Sequence, residues 1–368
     1  MSAIVETPRF PISDKYRQSC QGELDVLRDA LQRGLSGTSE VVEHYEADLA
    51  AWFDSQNAIA VSSGGAAISV ALAAAGVGAG DEVALTPTSP LCTVYPVIAA
   101  GAVPVFVDTR EHGFGMSLED LSRVHNAKLK AIIDIPMWGY PTEVDELQAC
   151  ARERGYTLIL DLAHAHGSTL HGKHLSHYGD ISCFSTHERK PLATGEGGFL
   201  LSDRQDLADR ARSYSRFGNL NGRDFGLNYK LAALPAALGQ HRLRYLQEQI
   251  DARRRNAEFL LSRIHHPKVR EKKQIDGGET NYYSLNLQLF FRNNRSFIDY
   301  LEVNGIPSDI KRYGCKCLYK FPAVAAYQRD CPNGDALLRG MTTIPVHPNV
   351  TEDELFYIAS IVNDYNGD

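Results

Sequence analysis

The sequence lacks several features that mark common non-enzymatic classes of protein. It has no uninterrupted apolar run of the roughly 18 residues that a membrane-spanning helix needs. It has no basic excess either, because 45 acidic side chains outnumber 38 basic ones and give a formal net charge of −7. A surface that binds nucleic-acid phosphates needs a net basic face. We therefore expect neither a membrane nor a nucleic acid as a partner.

Cysteine is scarce, and the usual marks of secretion are missing. Seven cysteines, an odd number scattered over 368 residues, fit reduced thiols better than a disulfide framework. Cys315 and Cys317 form a Cys-x-Cys pair, but no second pair stands at zinc-finger spacing. The first residues, MSAIVETPRFPISDKYRQ, do not follow the charged-then-apolar order of a signal peptide. These features predict a cytoplasmic protein.

The chain does contain a regular alternation of short apolar runs and amphipathic segments. The stretch AIAVSSGGAAISVALAAAGVGAGDEVALTP predicts a strand, a small-residue turn, a helix and a second strand. Further predicted strands are VPVFVD (103–108), LKAIIDIPM (129–137), YTLILDLA (156–163), ISCFS (181–185) and GGFLLS (197–202). Strands that alternate with helices indicate crossover connections and a mainly parallel sheet that is covered on both faces.

The pattern changes beyond about residue 240. The segment NYYSLNLQLFF (281–291) alternates as a half-exposed strand does. The densest basic cluster, DARRRNAEF (251–259), is interpreted as the solvated face of a helix. We predict an α/β fold with a large lobe around a mainly parallel sheet and a smaller C-terminal α+β lobe. The predicted divisions are an N-terminal segment (1–39), a cofactor-binding α/β domain (40–240) and a smaller α+β domain (241–368).

Ligands of open parallel sheets bind beyond the carboxyl ends of the strands, so the loops at those ends are the first place to search. The loop SSGGAA (62–67) leads directly into a predicted helix. Uncovered amides of Gly64, Gly65 and Ala66 at the positive end of that helix would form an anion site. A small-residue turn packed against the sheet explains the same pattern about as well.

Two further loops place ionisable groups beside predicted buried strands. Asp161 ends a run of apolar residues, where a carboxylate is costly unless it meets a cation or several donors. Capping of a helix is the alternative role for Asp161. Ser185 and Lys190 lie in ISCFSTHERKPLATGEGGFLLSD (181–203), between two predicted strands, whereas most lysines are solvated surface groups.

A phosphate site, a buried carboxylate and a buried amine at three strand ends indicate one cofactor. Pyridoxal phosphate needs a lysine for its Schiff base, an acid that holds its pyridine nitrogen protonated, and an anion site. The three loops together therefore predict a pyridoxal phosphate enzyme.

Longer motifs around these residues resemble a known family. FSTHERKPLATGEGG (184–198) is similar to the lysine segment of the DegT/StrS-type sugar aminotransferases, whose common form is Phe-Ser-Phe-His-x-x-Lys followed by Gly-Glu-Gly-Gly. DLAHAHGS (161–168) and FGLNYKLAALPAALGQHRL (225–243) resemble the family's Asp-x-Ala-x-Ala-x-Gly and Gly-x-Asn-Tyr-Arg segments. The matches run in family order over nearly the whole chain. The resemblance implies an aspartate-aminotransferase-like fold, known as fold type I.

The resemblance also implies a role for each motif residue. Lys190 would hold pyridoxal phosphate as a Schiff base and then move a proton between substrate and cofactor. Asp161 would pair with the pyridinium nitrogen, and His164 would lie near the cofactor ring.

The remaining implied residues concern the cofactor phosphate. The turn of Gly64, Gly65 and Ala66 would contact the phosphate through backbone amides, and Ser185 would contact it through its hydroxyl. Asn228 would reach the phosphate of a neighbouring subunit's cofactor, which implies a homodimer with its active site at the interface. A different role, capping of the helix that follows, stays open for Asn228.

This sequence departs from the family pattern at several positions. Gly65 stands where threonine is usual, and Pro90 stands where an aromatic residue commonly stacks on the cofactor ring. Tyr95, Trp138 or another side chain would have to replace that ring, or the cofactor is held more loosely. Thr186 and Lys230, which replace phenylalanine and arginine, would border the substrate pocket, so the sequence does not specify the keto substrate.

A cluster of histidines raises the question of a metal site. The histidines are His164, His166, His171, His174 and His177. Their spacing fits no regular face and resembles a polar loop, so we predict no metal.

The predicted function is transfer of an amino group from glutamate or glutamine to a keto-sugar, a keto-cyclitol or a related biosynthetic intermediate. Both the amino donor and the keto acceptor would be small molecules. The alternative is another pyridoxal phosphate reaction, namely elimination, dehydration or carbon–carbon bond chemistry on an amino-acid-like substrate.

Overall fold

The structure is a computed structural model that describes residues 12–14, 16–312, 314 and 316–367. Cys315, one half of the Cys-x-Cys pair, lies outside these residues. The α-helices are α1 (Glu23–Arg33), α2 (Glu40–Trp52), α3 (Gly64–Ala74), α4 (Leu91–Ala99), α5 (Leu118–Val124), α6 (Val144–Arg154), α7 (Gln205–Ser215), α8 (Ala233–Leu243), α9 (Leu246–Leu261), α10 (Asn294–Val303), α11 (Asp309–Arg312), α12 (Pro332–Arg339) and α13 (Glu352–Asn363). None of the described helices combines the length and apolarity that crossing a bilayer requires.

The strands belong to three sheets. They are β1 (Asn57–Val61), β2 (Glu82–Leu85), β3 (Val103–Phe106), β4 (Leu129–Asp134), β5 (Thr157–Asp161), β6 (Thr169–Leu170), β7 (Lys173–His174), β8 (Ile181–Ser185), β9 (Gly198–Ser202), β10 (Val269–Glu271), β11 (Gly278–Glu279), β12 (Leu285–Leu289) and β13 (Met341–Ile344). Short 3₁₀ helices span Met137–Gly139, Leu175–Tyr178, Phe217–Leu220, Leu318–Lys320 and Pro322–Tyr327.

The central sheet has seven strands in the order β1-β9-β8-β5-β4-β2-β3. Only β9 runs opposite to the other strands of this sheet, since it pairs antiparallel with both β1 and β8. The mainly parallel sheet that the alternating pattern predicted is therefore confirmed. Successive side chains of β1 enter different apolar cores: Ile59 and Val61 pack with α3, α4 and α7, whereas Ala58 and Ala60 pack with α2, α6 and α8.

A three-stranded antiparallel sheet, β10-β12-β13, follows the long helix α9. The half-exposed strand predicted around residues 281–291 is wrong in its exposure, because Asn286 in β12 is fully buried. The backbone amide of Asn286 donates to the Tyr140 hydroxyl at 3.1 Å, so the segment after β4 contacts this strand. The divisions after residues 39 and 240 stay predictions.

The third sheet, β11-β6-β7, includes part of the histidine-rich segment. Residues 169–174 form a two-stranded hairpin there, and Gly278 pairs with Leu170. The expectation of a polar loop was therefore wrong for these residues, because backbone pairing with β11 gives them regular structure.

The central sheet places several loops at one edge. β1, β2, β5 and β8 all run in the same direction, so their carboxyl ends meet there. These ends lead respectively to the glycine turn before α3, the loop before α4, Asp161, and the loop that contains Lys190. This edge is where ligands of such sheets bind.

Candidate active site

A cavity of about 650 Å³ lies at this edge of the central sheet. Its lining includes most of the residues that the sequence predicted to bind a cofactor, namely Gly64, Gly65, Asp161, His164, Ser185 and Lys190. Residues that are distant in the sequence therefore meet in one place, as the strand-end argument requires. Their individual roles stay predictions.

Lys190 lies in the loop between β8 and β9 and is 9% exposed. Burial lowers the pKa of its amine to about 8, although the nearby Cys92 and Asp161 groups oppose the shift. The amine lies 4.9 Å from the centre of the Tyr283 ring. A larger fraction of this lysine is neutral near pH 7 than of a solvated lysine, and the neutral amine is the nucleophilic form.

Asp161 is the last residue of β5 and is buried. The Thr93 hydroxyl donates to its Oδ2 at 2.6 Å, and the Ala163 amide donates to its Oδ1 at 3.1 Å. Burial raises the pKa of this carboxyl, while the two hydrogen bonds and the charge of Lys190 oppose that shift. Helix capping, the alternative role, is wrong because no α-helix begins in residues 162–168, all of which the structure describes.

His164 presents a flat, neutral ring to the cavity. Burial, together with the charge of Lys190, lowers the pKa of the imidazole well below its ordinary value. The ring stacks on Tyr283 with 4.2 Å between the ring centres, and Nδ1 accepts a hydrogen bond from the Trp138 amide at 3.3 Å. Contacts on two sides thus fix the orientation of the ring.

The glycine turn before α3 approaches β8 closely. A Cβ atom at Gly64 would come within 2.7 Å of the Ser185 Cβ, so a side chain does not fit there. A Cβ atom at Gly65 would meet only the Ser63 hydroxyl, at 3.9 Å. The first amides of a helix have no partner within the helix, so this turn presents donors to the cavity.

Ala66 and Asn228 are the two predicted residues that do not line the cavity. The Ala66 amide donates to the Ser63 hydroxyl at 3.0 Å as part of the cap of α3. Asn228 is exposed, and its Oδ1 accepts a hydrogen bond from Lys230 at 2.7 Å. Its predicted contact with a neighbouring subunit's cofactor stays a prediction.

Neither of the two aromatic residues named as replacements for the stacking ring lines this cavity. Tyr95 is 44% exposed, and Trp138 is buried beside a separate small cavity. Pro90 and Cys92 line the main cavity in that region. The expectation for Tyr95 and Trp138 was therefore wrong, because α4 and the turn after β4 direct both rings elsewhere.

The sequence interpretation missed Arg253. This arginine in α9 lines the cavity but is only 1% exposed, and its Nε and Nη2 atoms have no hydrogen-bond partner within the described residues. Its guanidinium carbon lies 4.7 Å from the centre of the Tyr16 ring. The interpretation of 251–259 as a solvated face was wrong at this position, although Arg255 is exposed.

A signal for Arg253 exists in the sequence. The buried residues of α9 are Leu246, Ile250, Arg253, Ala257 and Leu260. They recur every three or four residues, which is the spacing of one helix face, so Arg253 continues the apolar stripe. Thr93, which the sequence analysis also missed, carries no comparable signal.

The clustered histidines that were considered as metal ligands lie apart in the structure. His164 lines the cavity, His166 packs against Phe184 with 5.1 Å between the ring centres, and His174 packs against Trp52. Across the described ranges, no three His, Cys, Asp or Glu side chains are arranged to hold a metal ion.

Comparisons with known proteins extend these observations. GDP-perosamine synthase of Vibrio cholerae is 26% identical over 360 residues, which cover 95% of this chain and 98% of that relative. L-glutamine:2-deoxy-scyllo-inosose aminotransferase of Streptoalloteichus tenebrarius is 29% identical over 301 residues, which cover 76% of this chain and 70% of that relative.

The fold is shared with solved structures of aminotransferases. The X-ray structure of the aminotransferase from Psychrobacter cryohalolentis is similar with a TM-score of 0.86 and 25% identity, over 94% of this chain and 96% of that one. The match to a family description spans residues 18–363. The chain belongs to the DegT/DnrJ/EryC1/StrS aminotransferase family.

Proposed function

We propose that this protein is a pyridoxal phosphate-dependent aminotransferase that moves an amino group from glutamate or glutamine to the keto group of a sugar or cyclitol. The observation that carries the proposal is that two buried groups line one cavity. They are the Lys190 amine, with its lowered pKa, and the Asp161 carboxylate, which accepts a hydrogen bond from Thr93. Few other cofactors need both a buried amine and a buried acid.

The groups in the cavity fit pyridoxal phosphate. The amides of Gly64 and Gly65 and the hydroxyl of Ser185 would hold its phosphate, because they lie together at the N-terminus of α3. Asp161 would hold the proton on the pyridine nitrogen, and Thr93 would keep that carboxylate oriented. When bound, the cofactor supplies an electron sink that lets a proton leave the carbon bearing the amino group. The Lys190 amine would accept that proton.

Arg253 supports an acidic amino donor. A buried guanidinium without a counter-ion costs several kcal/mol, since it has lost its water without gaining an anion. A donor carboxylate in the cavity would offset this cost and would bind through two parallel hydrogen bonds. We therefore assign one carboxylate of the amino donor to Arg253.

The relatives support the class of keto acceptor. The names of the Vibrio and Streptoalloteichus proteins refer to an amino sugar bound to a nucleotide and to a keto-cyclitol, respectively. We propose an acceptor from the same chemical group, a cyclic polyol that carries one ketone.

A homodimer completes the proposed catalytic unit. The loop before Asn228 exposes large apolar side chains, with Leu220 82% exposed and Phe225 77% exposed. Neighbouring exposed apolar side chains of this kind mark interaction surfaces. A second copy of the chain that covers this loop would bring Asn228 to the phosphate end of its partner's cavity. The six cysteines in the described part of the chain are free, which supports a cytoplasmic location.

Mixed dimers test the shared site. Lys190→Ala protomers and Asn228→Asp protomers, each inactive alone, should regain part of the activity when mixed, because one of the two sites then has both native residues. The added carboxylate of Asn228→Asp should repel a phosphate. The shared site is wrong if mixed dimers form but stay inactive while the Asn228→Asp homodimer loads the cofactor normally.

Product masses test the reaction itself. The purified protein should absorb at about 410 to 430 nm, as lysine-bound pyridoxal phosphate does. Incubation with glutamate or glutamine and a panel of keto-sugars and keto-cyclitols should yield a product in which an amine replaces the ketone. A product that has lost water or carbon without gaining nitrogen would instead establish the alternative class of pyridoxal phosphate chemistry.

A further inference from the structure

Four charged side chains form a second group at the same cavity, which we call the outer cluster: Asp14, Arg189, Asp309 and Arg312. The Asp14 carboxylate lies 3.3 Å from Nη1 of Arg189 and also forms an ion pair with Arg312. Arg312 lies 3.2 Å from the Asp309 carboxylate. One carboxylate thus contacts two guanidinium groups at the wall of the cavity, and all four side chains keep partial access to solvent.

Distant parts of the chain place these groups. Arg189 immediately precedes Lys190, and Arg312 ends the short helix α11. Asp14 follows two residues whose backbones are fixed: the Ile12 amide donates to the Gly305 carbonyl at 2.9 Å, and His347 donates to the Ser13 carbonyl at 2.7 Å. Asp14 reaches the two guanidiniums through its side chain, so a rotation of that side chain would vacate the position.

We infer that Arg189 and Arg312 form a second carboxylate subsite for the amino donor, and that Asp14 occupies it when the donor is absent. This inference rests on the proposed function. A glutamate-like donor has two carboxylates, and the cavity wall has two separate sets of guanidiniums, one at Arg253 and one in the outer cluster. The Asp14 carboxylate stands in for the second carboxylate of the donor.

The exchange leaves both guanidiniums paired with a carboxylate before and after donor binding. A donor carboxylate that replaces Asp14 takes over its charge-assisted hydrogen bonds, while Asp14 is hydrated by the solvent that already reaches it. The apparent affinity is nevertheless reduced, because only the fraction of molecules in which Asp14 has left the subsite can bind the donor carboxylate there. Asp14 therefore reduces the affinity for donors with two carboxylates and has no such effect on donors whose distal group is an uncharged amide.

Glutarate provides a direct test, because it has two carboxylates but no amino or keto group and cannot react. Its affinity for the cofactor-loaded protein can be measured by titration calorimetry. Asp14→Asn should tighten glutarate binding about fivefold, and Arg312→Gln should weaken it about fivefold, as expected for one partly exposed ion pair. Glutaramate, which carries an amide in place of one carboxylate, should bind equally to both variants and to the wild type.

The opposite changes in glutarate affinity expected for Asp14→Asn and Arg312→Gln distinguish a carboxylate subsite from a purely structural ion pair. If the pair only holds the fold, both substitutions remove the same interaction and should change binding in the same direction. Arg312→Lys, which keeps the charge but loses the two-pronged geometry, should give an intermediate loss and guards against misfolding of Arg312→Gln. Arg17→Gln, on the exposed surface of the same N-terminal segment, should leave glutarate binding unchanged.

Weaker or unchanged glutarate binding by Asp14→Asn would overturn the inference, as would an absence of glutarate binding by the wild type. The titration requires no amino transfer. If amino transfer occurs but the opposite signs do not, this inference fails and the proposed function stands. If the opposite signs occur without amino transfer to any acceptor, the subsite stands and the proposed function fails.

Discussion

The inner and outer parts of the cavity compensate charge in different ways. The inner part contains three buried charged groups, Lys190, Asp161 and Arg253, which we call the inner charges. Thr93 and Ala163 satisfy Asp161, but two guanidinium nitrogens of Arg253 have no partner within the described residues. In the outer cluster, every charged group has an oppositely charged neighbour.

This difference predicts different responses to a ligand. A ligand can supply the missing partner of an inner charge, whereas in the outer cluster it must displace a protein side chain that is already paired. An unpaired buried charge lowers the stability of the fold, so its position in a cavity is best explained by the anion that binds there. A paired and partly exposed cluster costs little, but a ligand gains from it only by displacing a protein group. Removal of an inner charge should therefore have large effects, and changes in the outer cluster should have small ones.

Lys190→Ala should have the largest effect. Without the amine there is neither a covalent attachment for the cofactor nor a group to move the substrate proton, so amino transfer should fall by about four orders of magnitude. Borohydride reduction of the wild type followed by peptide mass mapping should place the cofactor on Lys190. The exposed Lys173→Ala serves as a control and should keep full activity. A mapped adduct on a different lysine would remove Lys190 from its role.

Asp161→Asn should lower turnover by about two to three orders of magnitude and leave folding and cofactor loading largely intact. A neutral amide does not hold the proton on the pyridine nitrogen, while it keeps the size of the side chain. Turnover and the cofactor absorbance should be measured on the same sample. Activity within about threefold of the wild type would contradict the proposed role.

Arg253→Met should raise the KM for the amino donor by about 30- to 100-fold, because the donor carboxylate loses a buried charged partner. The same substitution should raise the melting temperature, since it removes a buried charge that has no ionic partner among the described residues and keeps most of the side-chain volume. Arg255→Met on the exposed face of α9 is the matched control and should change neither quantity. A lower melting temperature with an unchanged KM would make Arg253 a structural residue.

Cofactor reloading should depend on pH, with a rate that rises by up to about tenfold per pH unit below the pKa of Lys190. The pKa of about 8 means that the neutral, nucleophilic amine gains population as the pH rises to 8 and then levels off. After removal of the cofactor, the rate of absorbance recovery should therefore rise from pH 6 to 8 and change little above that. A rate that keeps rising through pH 10 would indicate a solvated lysine.

Much of the fold could be predicted because it follows from local patterns. Strand and helix alternation specified the central sheet, and the motifs around Asp161 and Lys190 indicated which strand ends carry the site. The burial of β12 could not be predicted from its alternation, since it depends on contacts with residues far away in the sequence, such as the hydrogen bond from the Asn286 backbone amide to Tyr140.

The site residues that the sequence analysis did not identify depend on tertiary packing or lie in segments whose sequence patterns favour two different interpretations. Arg253 has the correct spacing for a buried face, but its two arginine neighbours favoured a solvated one. Asp14 and Arg312 lie near opposite ends of the chain, so only the folded structure brings them together. Trp138 was misplaced because its backbone has a positive φ of 54°, which no local pattern for a tryptophan indicates.

The reversed strand β9 determines how firmly Lys190 is held. A parallel successor to β8 would have to cross back to the amino ends of the strands, whereas β9 follows a 12-residue loop, runs antiparallel and pairs Gly198 with Ser185. The intervening loop is therefore closed at its base, and inside it the Thr194 amide donates to the Thr186 carbonyl at 2.7 Å. The entropy cost of closing this loop is met during folding. The Lys190 amine is therefore held in position before the cofactor binds and remains in position after the cofactor has left.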